Sequence, residues 1–89
     1  MISDQDKRYL NRLSEECAEV SQMVSKVFRF GPYSRHPTRP EEGTNIERLE
    51  GELGDLIAVV KMLVDAGVLD LDRITAHTEK KYDTTKHVL

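Results

Sequence analysis

Between Asn45 and Ala66 the chain reads as a helix with more apolar surface than one neighbour can cover. Thr44 with Glu47 forms a capping box at its start, and Gly67 ends it. Leu49, Leu53, Leu56, Val60 and Leu63 make a central stripe. Ile46, Ile57, Val59, Met62 and Val64 widen it to roughly 220° of arc at ~100° per residue. A helix lying on a surface needs far less. Opposite the stripe stand Gly51, Gly54 and Ala58. Two glycines inside a helix cost roughly 1 kcal/mol each against alanine, which a close approach by another backbone would explain. A chain of 89 residues cannot easily cover such a helix on several sides by itself. The reading therefore predicts a homodimer or homotetramer of helical hairpins.

The remaining elements follow from caps and spacing. Helix one is predicted from about Asp4 to Arg29, capped by Ser3 and ended by Gly31 and Pro32. Leu10, Leu13, Cys17, Val20, Val24 and Val27 step by three and four, a helical stripe. Residues 31–43, GPYSRHPTRPEEG, hold all three prolines and are predicted to be a loop. It is long for a helix connection, and such loops are often functional or mobile. Helix three is predicted from about Leu71 to Thr84, with Asp70 as cap. The expected fold is all-α: an antiparallel helical hairpin plus a shorter third helix, one domain over residues 1–89, packed into an oligomeric bundle.

Composition excludes several classes. A net charge of -3 argues against a general nucleic-acid binder, and 6% aromatic residues without Trp argue against base-stacking platforms. No stretch approaches the ~18 consecutive apolar residues of a membrane span. MISDQDKRYL is polar and has no signal-peptide character. The single cysteine, Cys17, forbids an internal disulfide, suits a reducing cytoplasm, and is expected on the core face of helix one.

The chemistry lies in the acids. SEECAEV crowds three glutamates into residues 14–20, and EGELGDL repeats the theme at 50–56. Around helix one, Glu16 falls about 70° from the stripe centre and Glu19 about 130° to the same side, while Glu15 points away. On helix two, Glu52 and Asp55 fall at about the same two angles, again to one side. Paired helices can bring these four carboxylates to one edge, where they would repel unless a hard cation joins them. All-oxygen ligands favour Mg²⁺; no His or Cys joins the set, which disfavours Zn²⁺. A solvated acidic face, with Arg12 pairing Glu16 four residues on, is the bland alternative.

EECAE fits an EExxE pattern and ELGD an ExxD pattern, followed by LIAVVKMLVDAG and then AGVLDLDRI. In that order the two motifs resemble those of the MazG-like all-α nucleoside triphosphate pyrophosphohydrolases. The resemblance implies Mg²⁺, with Mn²⁺ as a substitute, held by Glu16, Glu19, Glu52 and Asp55, with Glu15 at most a supporting group. It implies cleavage of (deoxy)nucleoside triphosphates between the α- and β-phosphates. Candidate cations for the triphosphate are Arg29, Arg35 and Arg39 near the loop, and Lys80 or Lys81 on helix three, the resemblance favouring Lys81. Tyr33 is a candidate for stacking on a base. The Pro-rich loop makes the distance from Glu19 to Glu52 longer than in many short members. Two rivals stand beside this reading: a phosphoribosyl-ATP pyrophosphohydrolase, and a non-catalytic helical oligomerisation or binding module.

Overall fold

Ser3 accepts a hydrogen bond from the Asp6 N–H while the Asp6 carboxylate accepts from the Ser3 N–H, and this reciprocal cap starts α1, Asp4–Phe30. The computed structural model describes residues 2–88. Thr44 and Glu47 form the same device ahead of α2, Asn45–Asp65. The Asp70 carboxylate caps α3, Leu71–Thr85. α2 ends in a Schellman motif: the Val68 N–H bonds the Leu63 carbonyl and the Gly67 N–H bonds the Val64 carbonyl. Gly67 has φ +76°, the left-handed conformation that glycine adopts without steric cost. Among the described residues there is no strand, only an isolated bridge between Arg35 and Thr44.

α1 and α2 pack closely along their length. Asn45 at the start of α2 donates from Nδ2 to the Gly31 carbonyl at 2.9 Å, just past the end of α1, so the two helices run antiparallel. The expected loop carries a short 3₁₀ turn, Pro40–Glu42, and its stem is fastened down. The Asn45 and Ile46 N–H groups, orphans of the α2 start, donate to the Ser34 and Pro32 carbonyls. Arg35 Nη1 donates to the Pro40 carbonyl at 2.9 Å. The helix terminus and the loop thus satisfy each other, and the start of the connection is built structure.

The contact face of α1 is rotated from the expected one. Glu16 and Met23 are buried, with Leu13, Val20 and Val27 half-buried beside them. Cys17 is exposed, against the expectation that it faces the core, and so is Val24. Val59 and Leu63 are the buried apolar residues of α2. A second apolar face remains. At ~100° per residue, Leu10, Cys17, Val24 and Phe28 of α1 lie on the same side of the antiparallel pair as Leu53, Ile57, Val60 and Val64 of α2. Phe28 is 85% exposed and Ile57 54%. The apolar stripe read from the sequence merged two faces into one. Nothing within the chain comes within 4 Å of a side chain added at Gly51 or Gly54, so the expected close approach is not made by this chain's own backbone.

α3 makes only marginal contact with the hairpin, and none of its residues is buried. The molecule is a slab of 46 × 36 × 16 Å. A wide groove of about 870 Å³ runs along α3, lined by Val68, Ile74 and Tyr82 among others. None of the helices is long and apolar enough to cross a membrane, over the described residues.

Candidate functional site

Helical phase brings the acids together. On α1, Glu16 and Glu19 are one turn apart; on α2, Glu52 and Asp55 are likewise one turn apart. The antiparallel pairing sets the two turns side by side. Carboxylate oxygens from all four residues lie within 4.8 Å of one another. The angular order expected from the sequence appears as a gradient of burial: Glu16 is buried and Glu52 half-buried, while Glu19 and Asp55 are exposed. Glu16 lies deeper than at the expected core edge. It is 4% exposed and sits in the helix–helix interface.

Electrostatics show a site left incomplete by protein groups. Arg12 Nε lies 3.3 Å from Glu16 Oε1, and Arg12 Nη1 donates to Glu15 Oε2 at 3.0 Å. The surface pairing anticipated for Arg12 thus exists, but it engages only one oxygen of Glu16. Glu16 Oε2 and Glu52 Oε2 are buried with no hydrogen-bond partner. Burial pushes the Glu16 carboxyl above its ordinary range, and the nearby Glu19 and Asp55 add to the rise against the opposing pull of Arg12. Burial does the same to Glu52, reinforced by Glu19, Asp55 and Glu16. Two orphaned buried oxygens among four converging carboxylates fit a hard, oxygen-seeking cation. The donor set contains no nitrogen or sulfur, which matches Mg²⁺ or Mn²⁺ better than Zn²⁺. Cys17 is exposed and is not among the converging residues.

The other candidates separate. Glu15 is half-exposed and held by Arg12. Arg35 lines a concavity of about 430 Å³ at the loop end of the hairpin. Arg29 does not line it; it is exposed, with its guanidinium 5.1 Å from the Phe30 ring centre. Arg39 pairs with Glu42 at 3.2 Å in the loop turn. Lys81 lies in the α3 groove, and Lys80 is exposed on the same helix. Tyr33 is an exposed loop residue. Sequence reasoning missed Lys26 and Arg48, which line the 430 Å³ concavity beside Arg35 and His36. Their helical phase carried a signal: Lys26 is two turns beyond Glu19 and Arg48 about one turn before Glu52, on the acid-bearing side.

The arrangement suits anion chemistry assisted by a divalent cation: a carboxylate cluster for the metal and a basic hollow further along the same face. No curated protein and no solved structure matches the chain. The MazG nucleotide pyrophosphohydrolase domain model matches residues 4–89. That span takes in the EExxE and ExxD turns together with the helices that pair them, and the chain belongs to the MazG nucleotide pyrophosphohydrolase domain family.

Proposed function

We propose that the protein hydrolyses (deoxy)nucleoside triphosphates between the α- and β-phosphates, with Mg²⁺ bound by Glu16, Glu19, Glu52 and Asp55. The observation that carries this reading is the convergence of these four carboxylates within 4.8 Å, two of their buried oxygens having no partner. Bound there, Mg²⁺ supplies positive charge that offsets the clustered carboxylates and the charge developing on phosphate oxygens. The chain's own groups supply the rest. Arg12 fixes the orientation of Glu16 by holding Oε1, which leaves Oε2 directed elsewhere. Glu19, exposed at the mouth of the cluster, orients a water by accepting its hydrogen bond. The water oxygen bonds to the α-phosphorus, the bond from that phosphorus to the bridging oxygen breaks, and pyrophosphate leaves. Glu19 takes the proton that the water gives up.

The functional unit in this reading is a homodimer or homotetramer. The apolar face of Val24, Phe28, Leu53 and Ile57 and the sparsely packed α3 are both covered by further copies of the chain. Turnover of a panel of ribo- and deoxynucleoside triphosphates, with Mg²⁺ and with chelator, tests the reaction. Monophosphate and pyrophosphate formed only with the metal are the expected products. Cleavage of phosphoribosyl-ATP alone would transfer the reading to that substrate. No cleavage, with no change in thermal stability on adding Mg²⁺, would leave a helical binding module.

A further inference from the structure

We propose that the concavity at the loop end of the hairpin is the seat of the β- and γ-phosphates, the part of the substrate that departs as pyrophosphate. This rests on the reaction proposed above and assigns a place to its leaving group. The hollow, about 430 Å³, is formed where the end of α1, the loop stem and the start of α2 meet. Lys26, Arg35, His36 and Arg48 line it, and no Asp or Glu does. In a chain with net charge -3, a hollow with basic but no acidic lining stands out, although Glu42 and Glu47 lie beside Arg48 and Arg35 outside it.

The two helix-borne cations have capacity to spare. Lys26 is half-buried, and no carboxylate lies within 4.0 Å of it among the described residues. Arg48 Nε lies 3.6 Å from Glu42 Oε2, beyond hydrogen-bonding distance, and its side chain is 15% exposed. An ammonium with no carboxylate partner can meet an incoming anion without breaking an existing pair. Arg35 is committed to the Pro40 carbonyl and Glu47, so it shapes the wall. His36 Nδ1 accepts from the Thr38 N–H at 3.2 Å, which places the ring proton on Nε2 as a further donor.

Position relative to the carboxylates gives the assignment its direction. At 1.5 Å per residue, Lys26 stands about 10 Å beyond Glu19, and Arg48 about 6 Å short of Glu52, both toward the loop. Carboxylates and cations therefore form one strip along one side of the hairpin. A triphosphate with its α–β bridge at the acids would extend its distal phosphates toward the cations, and its nucleoside the other way. A nucleobase carries no charge to match this lining, whereas charge-assisted bonds to phosphate oxygens use it fully.

The test uses inorganic pyrophosphate as probe, with Lys26→Met, which keeps the aliphatic stem, and Arg48→Met. Pyrophosphate binding is measured by calorimetry in the presence of Mg²⁺, Mg²⁺ binding without phosphate, and KM for two triphosphates with different bases. Each variant is expected to weaken pyrophosphate binding by about tenfold or more, the effect of a lost charge-assisted hydrogen bond. KM should rise by a similar factor for both bases, with Mg²⁺ affinity unchanged; Lys26→Arg should restore much of the loss. Undiminished pyrophosphate binding in both variants overturns the assignment, as does a KM change confined to one base. Hydrolysis by the wild-type protein without Lys26-dependent pyrophosphate binding sinks this proposal and leaves the reaction standing. Lys26-dependent pyrophosphate binding without hydrolysis of any triphosphate supports the phosphate seat and removes the reaction assigned to it.

Discussion

The two broad sides of the α1–α2 hairpin are made by the same two helices and are unfinished in opposite ways. One carries Glu16, Glu19, Glu52 and Asp55, then Lys26 and Arg48 toward the loop; two of its buried carboxylate oxygens have no hydrogen-bond partner. The other carries Cys17, Val24, Phe28, Leu53 and Ile57, and presents apolar surface to water. The difference teaches that the acid motifs and the apolar stripes of this chain occupy separate faces and suit different ligands. In our reading, cations complete the first side. Apolar surface, in our reading a second copy, completes the other.

The comparison can be broken most decisively on the charged side. Glu52→Gln is expected to lower kcat/KM by on the order of 10²–10³-fold, as loss of one member of a preorganised charge site does. Activity within a factor of two of wild type would detach the acids from the reaction. On the apolar side, Ile57→Asp places a charge on a surface where each covered side chain contributes about 1.5–3 kcal/mol. It should lower the oligomeric mass seen by light scattering while Mg²⁺ binding to the carboxylates survives. An unchanged mass would show that this side is not the interface.

Smaller effects sharpen the contrast. In chelator, Glu52→Gln relieves repulsion and should raise Tm by on the order of 4 °C, the response to about 1 kcal/mol in a domain of this size. Mg²⁺ should raise the Tm of the wild type more than that of the variant. The pH dependence has a definite sign. Glu16 and Glu52 have folded-state pKa values raised above an ordinary value of 4.5. The folded chain therefore binds more protons than the unfolded one above that pH, and stability falls as pH rises through the folded-state values. Glu47, lowered by its cap hydrogen bonds, acts in the opposite sense at lower pH. Urea midpoints of the metal-free wild type should thus exceed those at pH 7 when measured near pH 5, and Glu52→Gln should flatten the difference. Glu15→Gln, which touches only an exposed pair with Arg12, should change stability by less than ~1 kcal/mol.

Much of this was written locally in the chain. Ser3, Thr44, Asp70 and Gly67 set helix ends to within a residue or so because caps act on adjacent backbone groups. The four acids were legible because helical phase is arithmetic. The facing of α1 was not: ranking faces by apolarity put Cys17 inside and Glu16 at the edge. The interface instead buries Glu16 beside Met23 and leaves the most apolar stripe for other contacts. Lys26 and Arg48 escaped notice because their shared hollow exists only once the loop stem is tied to α2, by bonds spanning up to 14 residues. Arg29, adjacent to the loop in sequence, turns to another side of α1, showing that nearness along the chain was a poor guide to cations.

Both acid-bearing helices belong to one chain, and this has an arithmetical consequence for mixed assemblies. Each copy holds a whole set of four carboxylates, so an assembly in which some copies carry Glu52→Gln should lose turnover in simple proportion to the fraction replaced. A curve bending below that line would reveal that a copy lends something across the proposed seam, and its curvature would count how many neighbours each centre consults.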